Sequence, residues 1–248
     1  MERGEMRAPL LFILVAGFAS ATAQTQDRDF DSALRRAQVA HEKILQEHPA
    51  SVPAHLAYAE FLSENGNLRA AIAHWRQAQR LEPVNAAIAN SLGGAYLRMG
   101  DAAESAAQFG RAVELASNNA AYHFNLANVE FMLRHDLKAA WKVEMPELLR
   151  HALAEFRTAS RLSPNDAEYA RAYAETFYGM PDPDWAKAEA AWKHVLALSS
   201  QGDFAYLQLA RISLKRGNAS AARCCLAKIT DTRTTALKRK LLAEADRL

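Results

Sequence analysis

The chain has 248 residues, half of them hydrophobic, and a formal net charge of +2. That hydrophobic share supplies a folded core, and one domain is the natural expectation. Acidic and basic residues interleave, so there is no electrostatic case for nucleic acid, whose binding needs a concentrated basic surface.

The chain begins with an apolar run, Pro9 to Ala19, too short to span a membrane comfortably. Ala21-Thr22-Ala23 follows as a small-x-small pattern. Together they resemble a secretory signal peptide over residues 1–23, cut before Gln24. The implied location is outside the cytoplasm: the periplasm or the medium, if the host is bacterial. An uncleaved membrane anchor is the alternative. No cysteine stands near the cleavage point, which argues against a lipoprotein anchor. After cleavage no stable membrane insertion is expected.

Residues 29–48 read as one helix with Phe30, Leu34, Ala37, His41 and Ile44 along a face, ended by Pro49. Helix pairs then follow one another. Residues 52–85 hold Tyr58, Ala59 and Leu62, a turn at Asn65-Gly66, then Ala71, Trp75 and Ala78. Residues 86–119 hold Leu92, Gly93 and Tyr96, a turn at Gly100-Asp101, then Ser105, Phe109 and Ala112. Residues 120–166 start with Leu126 and Ala127 and turn at Arg134-His135-Asp136 without glycine. They also carry extra sequence near 137–149, where Leu137 to Glu144 reads as a short helix packed by Trp141, and Pro146 opens an extended helix. Residues 167–202 hold Tyr173, Ala174 and Phe177, then a stiff turn in which Asp184 is placed to cap the next helix. Residues 203–232 hold Leu209, Ala210, Gly217, Ala222 and Leu226. Residues 234–248 read as a final helix with Leu237, Leu241, Ala245 and Leu248 inward and Lys238, Arg239 and Lys240 toward water.

Three columns align along the chain. The first is Ala37, Ala71, Ser105, Ala152, Ala188 and Ala222, with steps of 34, 34, 47, 36 and 34 residues. The second is His41, Trp75, Phe109, Phe156, Trp192 and Leu226, and the third is Ile44, Ala78, Ala112, Ala159, Val195 and Ile229. This resembles the tetratricopeptide repeat family. It departs from the family at Ser117, where proline is usual. The resemblance implies an all-α fold: a right-handed superhelical solenoid of antiparallel helix pairs. About five repeats would make one domain over residues 24–248, with a half-repeat at 29–48 and a capping helix at 234–248. It also implies that the aromatics at 75, 109, 156 and 192 fill the space between repeats.

Chemical motifs are missing. The eight histidines form no metal-binding spacing, and there is no nucleophile elbow, phosphate loop or dinucleotide fingerprint. Cys224 and Cys225 are neighbours, and on a helix their side chains point about 100° apart, poorly placed for a disulfide. No catalytic residue, metal or cofactor is therefore expected.

In the family the inner groove is lined by positions 2, 5, 6, 9, 12 and 13 of each repeat. Carried onto this chain, the resemblance implies Leu56, Glu60, Ser63 and Glu64 in the first repeat, and Asn90 and Leu97 in the second. The third contributes Phe124, Asn125, Asn128, Phe131 and Met132; the fourth Glu168, Arg171, Glu175 and Tyr178; the fifth Phe204, Leu207, Gln208, Arg211, Leu214 and Lys215. The asparagines suit an extended peptide backbone, the aromatics its side chains, and Arg171 and Arg211 acidic groups. The third repeat, with two asparagines beside two aromatics, is the expected centre of the site. The implied function is a non-catalytic scaffold or adaptor that holds a protein or peptide in the groove. A structural subunit of a cell-envelope assembly, using its convex face, insertion or ends, is the second reading, and an enzyme of unrecognised type the third.

Overall fold

The structure, a computed structural model, describes residues 31–199 and 202–248. The signal-peptide reading of residues 1–23, and Phe30, lie outside the described residues. Every regular element among the described residues is helical, as the sequence columns imply. They form two compact units that divide between Leu81 and Glu82.

The first unit holds α1 (31–47), α2 (Val52–Glu64) and α3 (Leu68–Leu81). Ser51 caps α2 by accepting from the Ala54 N–H, and Pro53 in the first turn has no N–H to waste. The expected columns are inside: Tyr58, Ala59, Leu62, Ala71, Trp75 and Ala78 are all buried. The face expected for α1 is only partly right. Leu34, Ala37 and His41 are half-buried, but Ile44 is 45% exposed and Leu45 turns inward instead. The His41 ring stacks on Tyr58 at 5.3 Å, whose hydroxyl donates to Glu42 at 3.0 Å, so polar contacts dock this helix as much as apolar ones.

The second unit runs α4 (Ala86–Met99), α5 (Ala102–Leu115), α6 (Ala120–Met132), α7 (Arg134–Trp141), α8 (Met145–Leu162) and α9 (Ala167–Thr176). A 3₁₀ turn (Phe177–Gly179) extends α9, and then come α10 (Trp185–Leu198), α11 (Asp203–Lys215), α12 (Ala219–Ala227) and α13 (Thr235–Ala245). Each helix packs on the next, except that α7 is interposed and α6 packs on α8. The sequence period shows in the caps. Asn85, Asn119 and Asp166 each accept from first-turn N–H groups of the leading helix of a pair. Asp101, Asp184 and Asn218 do so for the following helix. The α8 start breaks the rule: Glu144 makes no side-chain cap, and Pro146 sits in the first turn.

Close helix approach is built into the second repeat. A Cβ on Gly93 would lie 2.6 Å from the Phe109 ring, so only glycine lets α4 and α5 meet here. Ser105 is fully buried and its hydroxyl donates to the Gly93 carbonyl at 2.8 Å, giving that helix pair a polar pin.

The insertion and the C-terminus correct the sequence reading. Arg134-His135-Asp136 is not a turn: lacking a glycine to reverse the chain, it starts α7, and the Leu137 N–H donates to Leu133 in helical fashion. Leu137, wholly buried, anchors α7, whereas Trp141 stays 37% exposed and does not pack it. In α13, Leu241 and Ala245 are buried, but Leu237 remains exposed, as does Leu248 beyond the helix end. Lys238 does not face water freely; its ammonium donates to the Ile229 carbonyl at 3.0 Å and ties α13 to the end of the preceding pair.

Candidate functional site

The residues expected to line a groove fall into three groups. In the second and third repeats, Asn125 donates from Nδ2 to Asn90 Oδ1 at 2.8 Å, so these amides spend part of their capacity on each other. Asn128 is half-buried and Leu97 is 40% exposed. Phe124 and Phe131 are half-buried in packing between repeats. Phe124 lies 4.5 Å from the Tyr169 ring, and both phenylalanines meet Phe156 edge-on. Phe131 also fills the space beside Gly179, where a Cβ would come within 2.8 Å of the ring. These aromatics contribute an edge to the surface, while most of each ring serves the core.

The second group makes a cleft of about 550 Å³ between the fourth and fifth repeats, walled by Glu168, Arg171, Val195, Ser199 and Phe204. Glu168, Arg171 and Phe204 are expected inner-face residues, and Phe204 is 47% exposed, its ring edge-on to Trp192 at 5.5 Å. Arg171 reaches Glu175 at 3.4 Å, an exposed pair worth little in stability. In the third group Arg211, Lys215 and Lys240 share a smaller cleft of about 320 Å³ with Leu237 and Glu244. The Arg211 guanidinium lies 5.1 Å above the Tyr178 ring and donates to Gln208. Burial raises the Tyr178 hydroxyl to about 12, so it stays protonated.

Other members of the expected lining face inward. Leu207, Gln208 and Leu214 are buried in α11, and Ser63 is buried in the first unit. The helix-A face of the fifth repeat is covered where α13 packs on α11, which a repeat pattern alone does not show.

A second constellation went unpredicted. Four carbonyls at the ends of successive helix pairs are each held by a nitrogen donor. Pro49 accepts from His55 and Ser117 from His123, each on the leading helix of the next pair. Pro83 accepts from Arg111 and Pro164 from His194, on the following helix instead. Ser117 therefore keeps the carbonyl contact of its column without the proline ring. In the first repeat, His55 Nε2 donates to Pro49, so its Nδ1 is the acceptor for His74 Nδ1 at 3.0 Å. Burial, followed by the neighbouring His55, lowers the His74 pKa.

In the third repeat the same two positions hold His123 and Glu155, with Nδ1 and Oε2 2.5 Å apart. Both nitrogens of His123 face oxygen acceptors, the Ser117 carbonyl and the Glu155 carboxylate. Beside it Glu130, 3% exposed, accepts from His151 Nδ1 at 2.8 Å, and His151 Nε2 stands 4.0 Å from Glu155. Burial pushes the Glu130 carboxyl up, partly offset by the hydrogen bond from His151. That same bond raises His151. The signal was in the sequence: Glu130 occupies the column of Leu62, Tyr96 and Phe177, where the neighbouring repeats place apolar side chains. Among the described residues no group of three His, Cys, Asp or Glu is arranged to hold a metal ion.

The period of 34, the paired helices and the close approach at Gly93 identify the central unit. Residues 86–119 match the tetratricopeptide repeat family. Solved structures carry the tetratricopeptide fold over most of the chain. YrrB, a tetratricopeptide protein with an unusual peptide-binding site, is 19% identical and aligns over 84% of this chain and 98% of its own, with a TM-score of 0.65. MamA is 14% identical over 79% of this chain and 92% of its own, with a TM-score of 0.58. The pilF protein of Pseudomonas aeruginosa is 18% identical over 88% and 90%, with a TM-score of 0.56. At these identities the likeness is one of tetratricopeptide fold. No curated protein matches in sequence. No helix among the described residues is long and apolar enough to cross a membrane.

Proposed function

We propose that the chain is an exported, non-catalytic tetratricopeptide scaffold that binds an extended segment of a partner protein along the inner-face residues of its second unit. The observation that carries this reading is the 550 Å³ cleft between the fourth and fifth repeats, where Glu168, Arg171 and Phe204 converge. It offers an exposed aromatic edge, an apolar wall at Val195 and a guanidinium held by one exposed carboxylate. That chemistry fits a peptide with an apolar side chain and a nearby acidic group. Asn128 and the linked Asn90–Asn125 pair lie on the same columns and extend the track toward the second repeat. The centre of binding moves from the third repeat, whose aromatics are committed to packing, to the fourth and fifth. The peptide-binding site of YrrB, in the same fold, supports the reading by likeness.

The test is photo-crosslinking in the native host with a reactive amino acid at Arg171, at Phe204, or at exposed Arg161 on the following helix of the third repeat. The inner-face positions should trap one partner that Arg161 does not. With that partner purified, Arg171→Glu should weaken binding about tenfold, an effect that shrinks as salt rises. Equal trapping at all three positions would remove the groove from the function. Export is tested separately: N-terminal sequencing of the native protein should start at Gln24, and a chain starting at Met1 in the cytoplasm would refute it.

A further inference from the structure

The insertion of the third repeat builds a cleft of its own. It measures about 290 Å³ and is lined by Glu130, Trp141, Val143, Glu147, Leu148 and His151. Glu130 comes from α6, Trp141 from the end of α7, and the last three from α8, while Val143 lies in the linker. The linker is turned by Lys142, the one non-glycine residue with positive φ among the described residues, at 55°. No inner-face residue lines the cleft, so it is distinct from the groove.

The chemistry of the cleft has a direction. Its floor is a carboxylate, Glu130, 3% exposed. A charged group that deep costs several kcal/mol unless it is paired and fully hydrogen-bonded. His151 donates to Oε2 at 2.8 Å. Three other repeats place Leu62, Tyr96 or Phe177 in this column, so the fold does not need an acid there. Glu147 adds a second, exposed carboxylate at the mouth, and Trp141 leaves 37% of its surface open beside it. Leu148 and Val143 supply apolar wall. The nearby lysine Lys138 is turned to Glu144 at 3.6 Å, and the only basic group lining the cleft is His151.

We propose that this cleft is a second binding site, which takes an arginine side chain of a partner polypeptide. The guanidinium donates to Glu130 Oε1 and Glu147, its plane lies on the Trp141 indole, and its aliphatic stem covers Leu148 and Val143. Arginine suits the site better than lysine, because its charge is more weakly hydrated and its flat face stacks on an aromatic ring while its edge donates. His151 keeps Oε2 and so orients the acid for the incoming donor.

The test uses the full mature chain, labelled with ¹⁵N, and reads the indole N–H resonance of Trp141, assigned by loss in Trp141→Phe. The probes are a capped pentapeptide, Gly-Gly-Arg-Gly-Gly, and the same peptide with lysine or with citrulline, the uncharged isostere. The arginine peptide should shift the resonance saturably with a dissociation constant on the order of 1 mM. Lysine should bind more weakly, and citrulline about tenfold more weakly or not at all. Glu130→Gln should abolish the shift, and Glu147→Gln, at an exposed position that cannot perturb folding, should weaken it severalfold. Equal shifts from arginine and citrulline, tighter binding of lysine, or full binding in the Glu147→Gln variant would each overturn the proposal. So would a Trp141 resonance that does not move at about 10 mM arginine peptide, tenfold above the expected constant. Because the cleft is separate from the groove, Arg171→Glu should leave this titration unchanged.

Discussion

The second and third repeats share one set of columns, yet they are stabilised in different ways. The second is apolar and tight: Phe109 fills the space above Gly93, and one buried hydroxyl, Ser105, makes the polar link. The third replaces an apolar column member with Glu130, adds His123, Glu155 and His151 around it, and interposes α7. The difference teaches that the fold tolerates a buried polar cluster once a neighbouring repeat supplies packing.

The largest effect should come from breaking the tight repeat. Phe109→Ala removes a ring that is 4% exposed and faces a glycine that cannot fill the void. Urea denaturation should show a loss of about 3–5 kcal/mol. A loss below about 1 kcal/mol would mean that the second repeat is no tighter than the third.

The next effect has the opposite sign. Glu130→Leu restores the apolar column, and stability should rise by about 1–2 kcal/mol near pH 8. The pH dependence sharpens the point. Glu130 and His151 both have raised pKa values in the folded state, so each contributes stability that is present at low pH and lost as pH rises through the folded value. For His151 that window begins near its ordinary value of about 6.5. The melting temperature should therefore fall more between about pH 6 and pH 8 in the native chain than in Glu130→Leu, with all other titrations common to both. Parallel profiles, or a destabilised Glu130→Leu, would show that the cluster holds α6 to α8 more strongly than burial penalises it.

Smaller still is the link between the two repeats. Asn125→Ala removes the 2.8 Å bond to Asn90 and should cost about 1 kcal/mol in thermal denaturation, the usual net value of a neutral hydrogen bond. No change would mean that water replaces the bond fully. The smallest effect lies in the insertion. Lys142→Gly relieves a left-handed residue but loosens the unfolded chain, so a net gain of about 0.5 kcal/mol is expected. A loss would show that the Lys142 side chain holds the turn between Trp141 and Val143.

Much of this was legible from the sequence, because a helix pair of constant length repeats its caps, small residues and large residues at constant spacing. Ala71, Trp75, Phe109, Ala112, Phe156 and Trp192, expected as core from the aligned columns and the family they resemble, are buried. Turn chemistry also predicted that Asp184 caps α10. These are local or nearest-neighbour properties, decided by which side of a helix a residue occupies. What only the tertiary structure decided was the use made of each exposed face. The family resemblance placed Phe124 and Phe131 on the inner side, but Tyr169, Phe156 and Gly179 from later helices draw them into packing. It placed Leu207 and Gln208 there too, and both are buried in α11, on which α13 packs. Glu130 stood in plain view in an apolar column, but its surroundings depended on His151 from the following helix and on Trp141 and Glu147 from the insertion. A period carries information about what recurs. A site made from the part that does not recur is assembled by contacts between elements, and those contacts exist only in three dimensions.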